Sequence, residues 1–465
     1  AGSLTAQDGT LSITGGTTVA PTGAISATGN ITLSGSGAVS TATNATVTSS
    51  AGSVGITSSG SSVSLAKAVS AGTTLSISGN TTVDATANLS SVGNMDITGL
   101  GRVTLNGSTT GVSGSGTLTI NSGTLASTDG GLEIIGSNVT STTGAISITA
   151  NASASWGFYI RATSKIQTTS GDITITGNAP SGVWGGYLAA VDILSDSGAI
   201  KVDTKSSYGL VNGYTTTTDF GALSPSNSSS SVTLIGNYYW SGSTAVNVRT
   251  SGAVVIESTG TAFTSGSAIT EHTFTGNSSL RIGKATNNVA LTLTGSTSIA
   301  GNYLVNATAI TQTAPVTTSN SGNITFAGAG AFANSGAINA DGGLYITGAT
   351  TLAATGSWTA NAALDVEASG NISTGSLSTI TVNTGLVKLN STGGTVTIGA
   401  NLQAPGPITL VGGTISANAN VTATQSGQNV LLKSRGAISV AANKTIQTAG
   451  GANATLVIWS GSTGS

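Results

Sequence analysis

Three short segments hold most of the side chains in this sequence that could recognise a ligand. They are Ser155-Trp156-Gly157-Phe158-Tyr159-Ile160, Val183-Trp184-Gly185-Gly186-Tyr187-Leu188 and Asn237-Tyr238-Tyr239-Trp240. Exposed Trp and Tyr rings are good platforms for sugar rings or protein surfaces, because each joins a large apolar face to a polar tip. Trp156, Phe158, Tyr159, Trp184, Tyr187, Tyr238, Tyr239 and Trp240 are therefore the candidate contact residues. A structural role competes with that reading, since the same rings would fill widened coils of chain or cover a sheet edge.

Catalytic chemistry finds less support. Glycosidases need two carboxylates at a defined separation. The nearest local sets are Asp129 with Glu133, Asp192 with Asp196, and Asp365 with Glu367. Strand parity puts Asp365 and Glu367 on one face, opposite Leu364 and Val366 and pointing to solvent. A polysaccharide-cleaving β-helix would gather Asp with Lys or Arg along a groove, whereas Arg102, Arg161, Arg249, Arg281 and Arg435 are scattered along the sequence. His272 is the only histidine, so no multi-histidine metal site can form. Its neighbour Glu271 would leave a strand on the opposite face. Gly-x-Ser-x-Gly-like strings, including the one around Gly114-Ser115-Gly116, arise by chance in a chain this rich in both residues. The Asp-rich glycine nonapeptide that binds calcium is absent. The expectation is a non-enzyme with no catalytic residue, cofactor or metal. Asn-x-Ser/Thr triplets at Asn44, Asn80, Asn106, Asn138, Asn277, Asn306 and Asn453 permit glycosylation without showing it.

The elements that would position these residues are announced by a five-residue phrase, usually Gly-x-Φ-x-Φ with Φ aliphatic. It reads Gly29-Asn30-Ile31-Thr32-Leu33, then Gly52-Ser53-Val54-Gly55-Ile56, Thr73-Thr74-Leu75-Ser76-Ile77, Gly93-Asn94-Met95-Asp96-Ile97 and Gly116-Thr117-Leu118-Thr119-Ile120. Later copies include Gly171-Asp172-Ile173-Thr174-Ile175 and Gly394-Thr395-Val396-Thr397-Ile398. Aliphatic residues two apart are the strand signature, and the polar residue between them meets water. The leading Gly or Gly-Asn supplies a turn at low steric cost. Weaker phrases recur about every eight residues between the strong ones, as in Asn429-Val430-Leu431-Leu432, Ala437-Ile438-Ser439-Val440 and Lys444-Thr445-Ile446-Gln447. The pattern predicts an all-β, right-handed parallel β-helix with about three short strands per coil of roughly 20–23 residues. Small Val, Ile, Leu and Ala would fill its narrow interior. At about 4.8 Å per coil, about 22 coils would make a rod on the order of 100 Å long.

Composition agrees. The 465 residues include 67 glycines and 6 prolines, and only 6% are charged against roughly 25% in ordinary soluble domains. Glycine does not recur every third residue, which excludes collagen. A net charge of −2 gives no field for collecting nucleic acid. There is no cysteine to form a disulfide or a thiolate metal site. Together with scarce lysine and a Ser/Thr/Asn surface, this leans toward an extracellular bacterial protein. The first residues carry no signal-peptide pattern and are already repeat-like, which reads as a mature product or an excised segment. Neither end shows a helical cap, as in an excised array or a subunit that stacks head-to-tail. Regularity divides the chain into regular β-helix at 1–150, β-helix with aromatic-rich insertions at 151–285, and regular β-helix at 286–465.

Ser170-Gly171-Asp172-Ile173-Thr174-Ile175, Ser141-Thr142-Thr143-Gly144-Ala145-Ile146-Ser147-Ile148 and the run from Gln428 through Val440 resemble the repeat region of filamentous-haemagglutinin-like exoproteins, the large adhesin passengers of bacterial two-partner secretion. The resemblance implies a right-handed parallel β-helix at the cell surface or released, exported through an outer-membrane transporter and used in adhesion or biofilm. The functional expectation is a structural or adhesive shaft that meets a glycan or protein on a host or neighbouring cell. A self-assembling filament or matrix subunit, joined end to end, is the first alternative. A polysaccharide-binding or polysaccharide-cleaving β-helix protein is the second.

Overall fold

Alternation of aliphatic and polar side chains makes each phrase a strand. The computed structural model describes residues 2–461 except 42–43, 125–129, 181, 207–208, 213–217, 222–228, 238, 242–245, 265–267, 270–271 and 376–378. Ile31–Gly35, Val54–Ser58, Leu75–Gly79, Met95–Gly99 and Leu118–Ser122 bury alternate residues and turn the others outward. Each pairs in parallel with its counterpart one coil away, so Ile31, Val54, Leu75, Met95 and Leu118 form one inward file. Two further strands complete the coil. Val39–Thr41 pairs with Val63–Leu65, and Val47–Ser49 with Val69–Ala71. Three parallel sheets result, with the phrase strands forming the first. The chain is an all-β solenoid, and the described residues include no helix.

The chain divides into two units, residues 1–252 with 258–260, and residues 253–257 with 261–465. Ten strands of the first sheet lie in each. That is fewer than the 22 coils expected, because coils in the first unit lengthen. Leu118 pairs with Ile146, Ile146 with Ile173 and Ile200 with Val232, which makes these coils 27 to 32 residues long. In the second unit Leu456–Ser460 adds one more rung to Val430–Ser434, as its sequence suggests.

The leading glycines serve close stacking more than turn geometry. Gly93, Gly116, Gly144, Gly171 and Gly198 sit one above another at the corner that enters the first sheet, and none has positive φ. A Cβ on Gly116 would strike the backbone of Gly93, one on Gly144 the carbonyl of Gly116, and so on up the column. Within this run the corners approach too closely for a side chain, whereas Thr73 and Ser230 occupy the equivalent position in flanking coils. The neighbouring Asn supplies the polar half of the device. Asn30 Oδ1 accepts from Ser53 N at 2.9 Å, and Asn94 Oδ1 from Thr117 N at 3.0 Å. Buried hydroxyls close the same corner from inside: Ser195 Oγ donates to Gly171 O at 3.1 Å and accepts from Gly198 N at 3.0 Å. Backbone groups that a tight turn would orphan are thus bonded from coil to coil.

Aliphatic files fill the interior, and burying each Val, Ile or Leu contributes roughly 1.5–3 kcal/mol. The second unit departs from the expected all-small core. Tyr303, Phe326, Phe332 and Trp358 are buried and touch in series, with ring centroids 5.9, 4.8 and 6.5 Å apart. Burial in that stack raises the Tyr303 phenol well above its ordinary value. The expectation that large rings avoid the core is corrected here. The rings come from all three sheets, Tyr303 and Phe326 from the first, Phe332 from the second and Trp358 from the third.

Candidate functional site

The aromatic segments fold as two stacked copies of one motif in the first unit. Phe158–Thr168 pairs with Gly186–Ser195, placing Phe158 opposite Gly186 and Tyr159 opposite Tyr187. These long strands serve the second and third sheets in turn, bending where Ala162, Thr163 and Ala190 have positive φ. Trp-Gly-x-Tyr is therefore repeated in register one coil apart. Outside the sheet Trp156 stacks on Trp184 at 6.2 Å and 12°, and meets Tyr187 edge-on at 5.3 Å. Tyr159 lies 4.7 Å from Tyr187 and 6.1 Å from Trp156. All four rings are half-buried, so together they form a packed platform with faces open to solvent.

Phe158 does not belong to that platform, which corrects its candidacy as a contact residue. It is wholly buried, and its ring occupies the space where a Cβ on Gly186 would stand. Strand parity turns it inward with Ile160 and turns Tyr159 outward, while Trp156 precedes the strand. Gly157, Gly177, Gly185 and Gly186 lack side chains for the same reason, with backbone or the Phe158 ring pressed against each. Tyr238 lies outside the described residues. Tyr239–Ser241 continues the second sheet, with Tyr239 in register with Leu210 and Trp240 with Val211.

Charged residues missed in the sequence border the rings. One file of the second sheet runs Asp84, Thr104, Glu133, Tyr159, Tyr187. Arg102 pairs with Glu133, and its Nε donates to Thr104 Oγ1 at 2.9 Å. Arg161 reaches the same carboxylate only at 3.9 Å and stands 5.0 Å over the Tyr159 ring. A second ladder follows on the third sheet, where Lys165, Asp192, Asp219 and Asn247 occupy consecutive coils. Arg249 and Asn247 each donate to Asp219 at 2.7 Å, and Lys165 lies 3.9 Å from Asp192. Arg102 and Arg161, far apart in sequence, therefore meet at Glu133, while Arg249 joins the second ladder. The only available signal was the coil length, which aligns Glu133 with Tyr159 once the 26-residue step is known.

These ladders suit surface ion pairing. Asp192 has Lys165 at 3.9 Å and Asp219 has Arg249 at 2.7 Å. Asp192 neighbours Asp219 in register, Glu133 faces two arginines, and Asp129 lies outside the described residues. In the second unit Asp365 and Glu367 do share an outward face, and Lys388 lies 3.5 and 2.6 Å from them. The backbone of His272 lies on the strand His272–Thr275. Among the described residues no group of three or more His, Cys, Asp or Glu could hold a metal ion. Asn277 is wholly buried, which removes that acceptor triplet from access.

Lys388 offers a measurable consequence. Its hydrogen bond to Glu367 holds the ammonium above the ordinary lysine value of 10.5, with desolvation opposing and Asp365 adding. Its raised value means the pair stabilises fully below that ordinary value and is lost as pH rises through the shifted one. Lys388→Met is expected to cost less than about 1 kcal/mol near neutral pH, since the pair is at the surface. Urea denaturation near neutral and strongly alkaline pH checks this, and a deficit that grew with pH would contradict it.

The geometry defines a β-solenoid with an aromatic, charge-bordered face on one of its sheets. No protein-family profile, curated protein or solved structure matches the chain.

Proposed function

We propose that this chain is an extracellular adhesive shaft, a segment of a large bacterial surface protein of the filamentous-haemagglutinin type that is exported through an outer-membrane transporter. The observation that carries the reading is the platform of Trp156, Tyr159, Trp184 and Tyr187, bordered by charge, on a solenoid whose outward strand positions elsewhere are mainly Ser, Thr and Asn. A hydroxyl-rich surface of low charge stays solvated without attracting nucleic acid, and the four rings supply a large apolar contact area. Parallel pairing from coil to coil gives a rigid mount, so the platform is held before a partner arrives. Glycans or proteins of a host or neighbouring cell are the partners such a face meets.

Attachment tests the reading directly. Displayed on a non-adherent bacterium, the chain is expected to raise attachment to cell monolayers or polysaccharide films severalfold, and soluble chain should compete. Antibody against residues 1–252 should label intact cells of the native source. No gain in attachment, or label only after lysis, would sink the proposal.

A further inference from the structure

We propose that Trp156, Tyr159 and Arg161 form a subsite for a carboxylated sugar within an acidic polysaccharide. This rests on the reading of the chain as an adhesive shaft and names the ligand class of its aromatic face.

Charge singles out Arg161. Two arginines face one carboxylate, Glu133, and Arg102 already holds it in close contact. Arg161 stays 3.9 Å from that carboxylate, beyond hydrogen-bond distance, while its side chain is 42% exposed. Its Nε has no acceptor. The strand register places apolar Ile135 and Ala189 beside it on the adjoining coils. Asp84 lies two coils below Glu133 in the neighbouring file, with the Thr82 hydroxyl 3.5 Å away. Among the described residues the Arg161 guanidinium therefore has no carboxylate within hydrogen-bond distance at the edge of the rings. Its Nε is buried, but a planar guanidinium whose two terminal nitrogens make no hydrogen bond among the described residues matches a carboxylate in a two-pronged hydrogen bond, which a neutral sugar cannot provide.

Stacking supplies the second half of recognition. Arg161 stands 5.0 Å over the Tyr159 ring, and Trp156 is 6.1 Å from Tyr159. A carboxylate bound by Arg161 brings its own pyranose ring onto these aromatic faces. Trp156 is fixed by its packing on Trp184 and Tyr187, so little ordering cost falls on binding. The next coil repeats the Trp and Tyr in register at a rise of about 4.8 Å, so a linear chain can step from one coil to the next. A single cation is too few for a nucleic-acid backbone, whose binding needs a series of phosphate contacts.

Calorimetric titration of the purified full chain with a defined oligogalacturonate and its carboxyl-reduced counterpart tests this. Wild type should bind the acidic oligomer at least tenfold tighter than the reduced one. Arg161→Gln should abolish that preference, and Trp156→Ala should weaken both affinities tenfold or more. Equal binding of the two oligomers, binding of neither, or an undiminished preference in Arg161→Gln overturns the proposal. So does self-association that Trp156→Ala abolishes while no sugar binds, because the face would then be an interface between copies. Arg161 is half-exposed, so Arg161→Gln decides the matter even where Trp156→Ala fails to fold. Because the titration uses purified protein, failure of displayed chain to promote attachment bears on the shaft reading alone.

Discussion

Trp358→Ala is expected to destabilise the second unit by about 3–5 kcal/mol, the range for truncating a fully buried aromatic ring. Trp358 is 1% exposed and lies in register between Ile338 and Ile380 on the third sheet. Its ring meets Phe332 of the second sheet, which meets Phe326 of the first. Truncation therefore opens a cavity where all three walls converge, and neighbours tied by coil-to-coil pairing can collapse only partly. A polar loss adds to it. Trp358 Nε1 donates to Asn334 Oδ1 at 2.8 Å, and Asn334 is itself buried. Leaving that oxygen without a donor costs about 1–3 kcal/mol. Trp358→Phe isolates the second effect, since it keeps most of the volume and removes the N–H. Urea denaturation of the whole chain, read with hydrogen exchange at amides of the strands Ile338–Ala340, Trp358–Ala360 and Thr379–Val382, measures both. A loss below about 1 kcal/mol for Trp358→Ala would show that the rings do not hold the coils together.

Gly144→Val carries the second large effect, a loss of about 3 kcal/mol or more, at or beyond the upper end of overpacking costs. A Cβ on Gly144 would overlap the carbonyl of Gly116 in the coil below. Backbone paired on both sides has no room to retreat, so the cost falls on the ladder between Leu118–Ser122 and Ile146–Asn151. Gly55 gives the control. It occupies an outward strand position between Thr32 and Ser76, has ordinary φ, and its nearest neighbour to an added Cβ is Ile31 O at 4.0 Å. Gly55→Thr should be neutral or stabilise by a few tenths of a kcal/mol, because glycine weakens a strand interior. Thermal melts of the two variants side by side decide the point. Equal effects would mean that the column glycines are chosen for something other than the closeness of stacked corners.

Much of the fold was legible because its information is local. A period of two within the phrase and a spacing of about eight between phrases set strand, parity and three sheets per coil. Parity also placed Asp365 and Glu367 on one face correctly. The same rule puts Phe158 on the face of Ile160, opposite Tyr159, and grouping it with the other aromatics overlooked that. The glycine reading found the right residues for an incomplete reason, since turn preference is visible in sequence and interatomic clearance between coils is not.

By itself the sequence determined the repeat, the parallel coil and the alternation of buried aliphatic with solvated polar residues. Each follows from chemistry within a few residues of chain. Only the tertiary structure decided which coils lie in register. Register set Arg102 and Arg161 around Glu133, put Asp192 beside Asp219, laid Trp156 on Trp184 and gathered Tyr303, Phe326, Phe332 and Trp358 inside. Apart from Phe326 and Phe332, those neighbours are separated by a coil or more, and coils here vary from 20 to 32 residues. A one-residue change in coil length shifts every side chain it would bring together, so the contacts follow from stacked backbone geometry.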